Sequence, residues 1–157
     1  MTMHNTKYLV KRNTSCYNHV KMLGAKIYGF HKDKKVQKGL STMTLQECYV
    51  KIGGDYNDIL HRFMNENMVR KFVLKFPQDN NMALFEESWA KKDYETAFRA
   101  MHTLKGVAVN LGFTALYNVS SALTEKLRSQ EYDNLDGLIA DVKKQYDIVI
   151  EAIAALG

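Results

Sequence analysis

The sequence predicts an all-α fold, an up-and-down antiparallel four-helix bundle with short helices in front of it. Three observations carry that prediction. From about residue 43 onward, apolar residues recur at steps of three and four, the period of a helix buried along one face. The 157 residues contain a single proline. The segments joining the last three helical stretches are short, so neighbouring helices run antiparallel.

Residues 1–42 show no sustained period of either kind. Tyr8-Leu9-Val10 and Ile27-Tyr28-Gly29-Phe30 have strand-like content but stand isolated among lysines and asparagines. This stretch reads as a basic, disordered N-terminal extension. Met43-Thr44-Leu45 looks like the natural beginning of the domain, which implies a non-native start upstream of it. The helical domain is therefore expected over residues 43–157.

Within that domain each element has its own signal. A short helix is expected over Leu45 to Lys51, stopped by Gly53-Gly54. Asp55 can accept from the first free N–H groups of the next helix, Tyr56 to about Met64. Val69, Phe72, Val73 and Phe76 give helical spacing from Glu66 to Phe76, where Pro77 interrupts because it lacks an N–H and restricts its predecessor. Asp79 or Asn80 can cap a helix carrying Met82, Phe85 and Trp89, which ends near Lys91-Lys92.

Three longer helices follow. Ala97, Met101, Leu104, Ala108 and Leu111 place one buried stripe on Tyr94 to Leu111, and Gly112 closes that helix. Leu116, Ser120, Leu123 and Leu127 do the same for Thr114 to Arg128. Asn134 is the expected cap of the last helix, in which Leu135, Leu138, Val142, Val149, Ile153 and Leu156 share a face with Tyr146.

Charge is unevenly distributed. The chain carries +5 overall, yet residues 1–40 hold nine basic side chains against Asp33, a net +8 that leaves −3 on the remaining 117 residues. The basicity thus belongs to the extension and the domain is mildly acidic. Nucleic-acid binding is conceivable only through residues 1–42, as a weak and steeply salt-dependent contact. Cys16 and Cys48 lack metal-ligand spacing and make no disulfide framework. No run approaches the ~18 apolar residues of a membrane span, and the N-terminus lacks an apolar signal region. The expected location is cytoplasmic, without membrane insertion.

The candidate site lies on the helix after Tyr94. At about 100° per residue, His102 points away from the buried stripe, toward solvent. Lys105 at i+3 and Gly106 at i+4 flank it on the same face. A glycine inside a helix costs about 1 kcal/mol relative to alanine, so its place beside an exposed histidine suggests close approach by another surface. Phe98 and Val109 fall within about 40° of His102 and offer an apolar rim, unless neighbouring helices cover them. Arg99, at i−3, adds a second cation. Thr103 is better suited to satisfying backbone, and Asn110 is out of phase. A neutral imidazole, with a reference pKa of about 6.5, supplies a free ring nitrogen at pH 7.

His102-x-Leu104-Lys105-Gly106 with Leu111-Gly112 resembles the signature of histidine-containing phosphotransfer (HPt) domains, the four-helix relays of two-component phosphorelays. The likeness covers roughly residues 44–156 and is densest from Tyr94 to Arg128. Gly53-Gly54-Asp55 and Asp93-Tyr94 add weaker likenesses, whereas Phe76-Pro77 departs from a pattern that often continues as one longer helix. The resemblance implies that His102 accepts a phosphoryl group on Nε2 and passes it on, with Lys105 offsetting charge on the phosphoryl oxygens. Phe98, Arg99, Gly106 and Val109 would then meet the partner. The partners implied are receiver domains of response regulators, with a hybrid histidine kinase behind them. Receivers bring the acceptor aspartate and Mg²⁺, so no cofactor of the chain's own is expected.

Other chemistries have weaker support. Asp58-x-x-His61 places a carboxylate and an imidazole one turn apart, but no second copy completes a di-metal set. Glu125 has no counterpart for a carboxylate pair. No phosphate-cradling glycine loop, nucleophile elbow or kinase signature is present, so autonomous kinase activity is not expected. The alternative is a helical adaptor that binds and sequesters a receiver or kinase without being phosphorylated.

Overall fold

The structure is a computed structural model and describes residues 43–157. The expectations of a basic, disordered extension and a non-native start fall on residues 1–42, outside the described residues. Over the described residues the chain forms α1 (Leu45–Lys51), α2 (Tyr56–Phe63), α3 (Glu66–Val73), a 3-10 turn (Phe76–Gln78), α4 (Asn81–Ala90), α5 (Tyr94–Asn110), α6 (Thr114–Arg128) and α7 (Asp136–Ala154).

The bundle proper is α4 to α7. α5 packs against both α4 and α6, and α6 against α7. A Lys143–Glu86 ion pair at 2.9 Å links α7 to α4. Ala97, Met101, Leu104 and Ala108 of α5 are fully buried in one core with Leu116, Leu123, Val142 and Val149. Ala100 joins that core from α5. Ser120 and Thr124 are buried as well, because each hydroxyl donates to the carbonyl four residues earlier, at 2.7 and 2.6 Å, which satisfies the polar group inside the helix.

The short helices close one end of the bundle. Thr44 and Glu47 form a reciprocal capping box at the start of α1, which satisfies two free donors of the first turn. Met43 N–H donates to the Ala155 carbonyl at 3.2 Å, fastening the segment before α1 to the end of α7. The α1–α2 and α5–α6 connections cross at very short range. Asp55 N–H donates to Gly112 O at 3.0 Å, and Ala115 N–H to Gly53 O at 3.1 Å. A Cβ on Gly54 would sit 2.7 Å from Gly112 O and 2.8 Å from Tyr49 Cδ1, so only glycine permits the crossing. Gly112 itself has φ +68°, the left-handed conformation that ends α5 and turns the chain into α6.

Three expectations are corrected locally. The helix from Glu66 stops at Val73 rather than Phe76, and the chain tightens into the 3-10 turn that carries Pro77 in its first turn. Phe76 is buried all the same, against Phe113 and Tyr146 at 5.2 and 5.6 Å between ring centres. Asn134 does not cap α7. It adopts φ +57°, a left-handed turn that asparagine tolerates, and Leu135 occupies the cap position without a side-chain bond. The buried face of α7 runs through Ile139 and Ala152, with Leu138 and Leu156 only partly covered. At α4, Asp79 rather than Asn80 supplies the side chain, accepting from Asn81 N–H at 2.9 Å.

Candidate functional site

α5 is fixed at both ends before it presents anything. Asp93 accepts from Thr96 N–H at 3.1 Å at the first turn, and the Thr96 side chain together with that N–H holds its carboxyl below its ordinary range. At the far end Tyr49 Oη donates to Leu111 O at 2.7 Å. Arg62 of α2 donates to Val109 O at 3.3 Å and to Asn110 O at 3.5 Å, while pairing with Asp58 at 2.8 Å. The last carbonyls of a helix carry partial negative charge, so a guanidinium there is stabilising.

Between these anchors His102 is exposed at the middle of α5, and no described residue hydrogen-bonds its ring. The Phe98 ring lies one turn before it, 5.8 Å between centres and tilted 36°. Phe98 is half-buried against the core, and the Arg128 guanidinium carbon stands 5.9 Å from the centre of its ring, within cation–π range. Phe98 is thus partly covered by α6 and partly open beside the imidazole.

Lys105 is not a free surface lysine. Only 16% of its side chain is exposed, and its Nζ lies 3.4 Å from Glu125 Oε1 across the α5–α6 interface. The other carboxylate oxygen of Glu125 accepts from Arg128 Nη1 at 2.8 Å. The antiparallel run of the two helices brings Arg128 to Phe98 and Glu125 to Lys105, so both α6 residues border the His102 face. Gly106 is open: a Cβ there would meet no heavy atom within 4 Å. Val109 is 45% exposed.

Arg99 turns away from the imidazole to pair with Glu95, one turn earlier. Thr103 Oγ1 donates to Arg99 O at 2.8 Å, as its place mid-helix suggests. Asp58 faces Arg62, and among the described residues no group of three or more His, Cys, Asp or Glu is placed to hold a metal. No helix of the described residues is long and apolar enough to cross a membrane.

Sequence reasoning set Glu125 aside as a lone carboxylate and missed Arg128 and Arg62. Glu125 and Arg128 are i,i+3 neighbours and could have been marked as a pair. Their relation to Lys105 and Phe98 depends on the register between α5 and α6. Arg62 reaches α5 only because the glycine loops bring α2 to the end of that helix.

Fold and site together define a helical bundle that presents an imidazole, a partly covered cation and an open glycine on one helix face. The family model of the Hpt domain matches residues 68–155, more than half of the chain, and the chain belongs to that family. Membership places it among the histidine phosphotransfer domains of phosphorelays, which are phosphoryl carriers rather than kinases and interact with response-regulator receiver domains. The match starts inside α3, so α1 and α2, which supply Tyr49 and Arg62, lie before it. Comparison with curated proteins and with solved structures yields no significant match.

Proposed function

We propose that this chain is a phosphorelay intermediate in which His102 accepts a phosphoryl group from a receiver phospho-aspartate and passes it to another receiver. The observation that carries the reading is the exposed His102 on α5, with Lys105 one turn on and Gly106 open beside it, in a chain of the Hpt family.

The chemistry balances without a base. The lone pair of Nε2 forms the N–P bond as the acyl phosphate O–P bond breaks, and the electron pair stays on the departing aspartate. The imidazole keeps its proton on Nδ1 and becomes a phosphorylated imidazolium, so no proton leaves the site. Family resemblance supports Nε2 as the atom. Positioning and charge stabilisation do most of the work in phosphoryl transfer. Lys105 stabilises the phosphoryl oxygens, and Mg²⁺ belongs to the receiver. Phe98 and Val109 form the apolar rim on which the receiver seats, Gly106 lets its loops approach, and Arg99 lies at the edge of that contact. The chain has no kinase activity of its own and works on the cytoplasmic side, between receivers.

The direct test is charging with phosphoramidate, a small phosphoryl donor, followed by peptide mapping. A single acid-labile phosphoryl group on the His102 peptide supports the assignment. Modification elsewhere, with His102 unmodified, overturns it.

A further inference from the structure

Glu125 occupies a position that the relay reading leaves unexplained. It lies on α6, yet it holds a cation of α5 on one carboxylate oxygen and a cation of its own helix on the other. The two bonds are unequal. Arg128 is held at 2.8 Å, the usual length of a charge-assisted bond, whereas Lys105 stands off at 3.4 Å, well beyond it. Lys105 is therefore the cation that can be taken away.

The arrangement borders the helix face that carries the imidazole. Lys105 is one turn beyond His102 on the same face, and Phe98, one turn before it, carries the Arg128 guanidinium near its ring. Glu125 joins the two cations behind that face. A phosphoryl group on His102 would bring a dianion next to a lysine that is loosely paired with a monoanion. The lysine would gain by turning to it, and Arg128 would remain to neutralise the carboxylate.

We propose that Glu125 is a positioning residue for phosphoryl transfer: it parks Lys105 in the unphosphorylated protein and yields it to the phosphoryl group on His102. The inference rests on His102 being the acceptor. Its consequence is that Glu125 restrains charging, because Lys105 must first be released from it. The phosphohistidine is thereby kept easy to discharge.

The test measures the initial rate of phosphohistidine formation on the full chain with phosphoramidate. In that reaction the Nε2 lone pair forms the new N–P bond as the donor's own P–N bond breaks and ammonia leaves with its electron pair. Glu125→Gln should charge about threefold faster than wild type, the scale expected for a half-exposed charge. Glu125→Asp, whose carboxylate is drawn back from Lys105 by one methylene, should fall between wild type and Glu125→Gln. In a Lys105→Ala background the gain should vanish, and about 1 M salt should also shrink it, since screening then acts within about 3 Å. Circular dichroism of each variant reports whether the bundle is intact.

A Glu125→Gln rate equal to or below wild type overturns the inference, and so does a gain that persists without Lys105. Failure of the underlying reading looks different. In that case wild type takes no phosphoryl group, or His102→Gln takes as much as wild type.

Discussion

Phe98 and His102 lie one turn apart on α5, their ring centres 5.8 Å from each other and their planes tilted by 36°, with Arg128 on the Phe98 side. The pair gives the imidazole an apolar neighbour that is only half covered by the bundle. If a receiver seats on that open half, Phe98→Ala should slow transfer from a phospho-receiver by about tenfold, the cost of losing about 1.4 kcal/mol of contact. Charging by phosphoramidate should be unchanged, because no docking is involved. Comparing the two donors on one variant separates docking from chemistry, and equal slowing with both would place Phe98 in the chemistry instead.

Gly106 gives a prediction of opposite signs. A Cβ there meets no heavy atom within 4 Å, so alanine fits without strain. Gly106→Ala should raise stability by about 1 kcal/mol, as expected inside a helix, while lowering the rate of transfer from a receiver. Urea unfolding and a transfer assay on the same sample check both. A stabilised variant with an unimpaired rate would show that the receiver does not come close at Gly106.

Tyr49 anchors the end of α5 without facing the site. Tyr49→Phe leaves the Leu111 carbonyl without its 2.7 Å donor and should cost about 1–3 kcal/mol, the price of an unsatisfied buried acceptor. The folded fraction should still charge on His102 at the wild-type rate. A selective loss of charging in the folded protein would mean that the α1 anchor sets the geometry of the imidazole.

Burial pushes the Cys48 thiol up to about 11 from its ordinary 9.0, because the core disfavours the thiolate. The unfolded chain then loses its proton first. The contribution to stability is full below pH 9 and is lost as pH rises toward 11. Burial also raises the Tyr49 phenol, which acts in the same direction at still higher pH. The urea midpoint should fall from pH 9 to 11 and fall less in Cys48→Ala. Equal slopes in the two proteins would assign the loss to Tyr49 or other groups.

The helical period was enough to read α5 and α6, because each buries one continuous stripe, Ala97 to Ala108 and Leu116 to Leu127. The exposure of His102 followed from that phase alone. Boundaries set by backbone conformation were harder to read. Asn134 looks like a cap but takes a left-handed turn, and the helix before Pro77 unwinds two residues before Phe76 although Phe76 still reaches the core. Tertiary register was not legible. Nothing in the spacing within α6 says that Glu125 faces Lys105, or that Arg62 of α2 reaches the carbonyl of Val109. Such contacts arise when two helices are set side by side.

The most direct test of the relay is transfer of label from a phospho-receiver, with Mg²⁺ present, to the wild-type chain and to His102→Gln. The account predicts acid-labile, alkali-stable label on wild type and none on the variant, with receiver binding retained by both. Label on both proteins would contradict His102 as the acceptor. Binding without label on either, across the receivers of one organism, would contradict the relay and leave an adaptor that acts by sequestration.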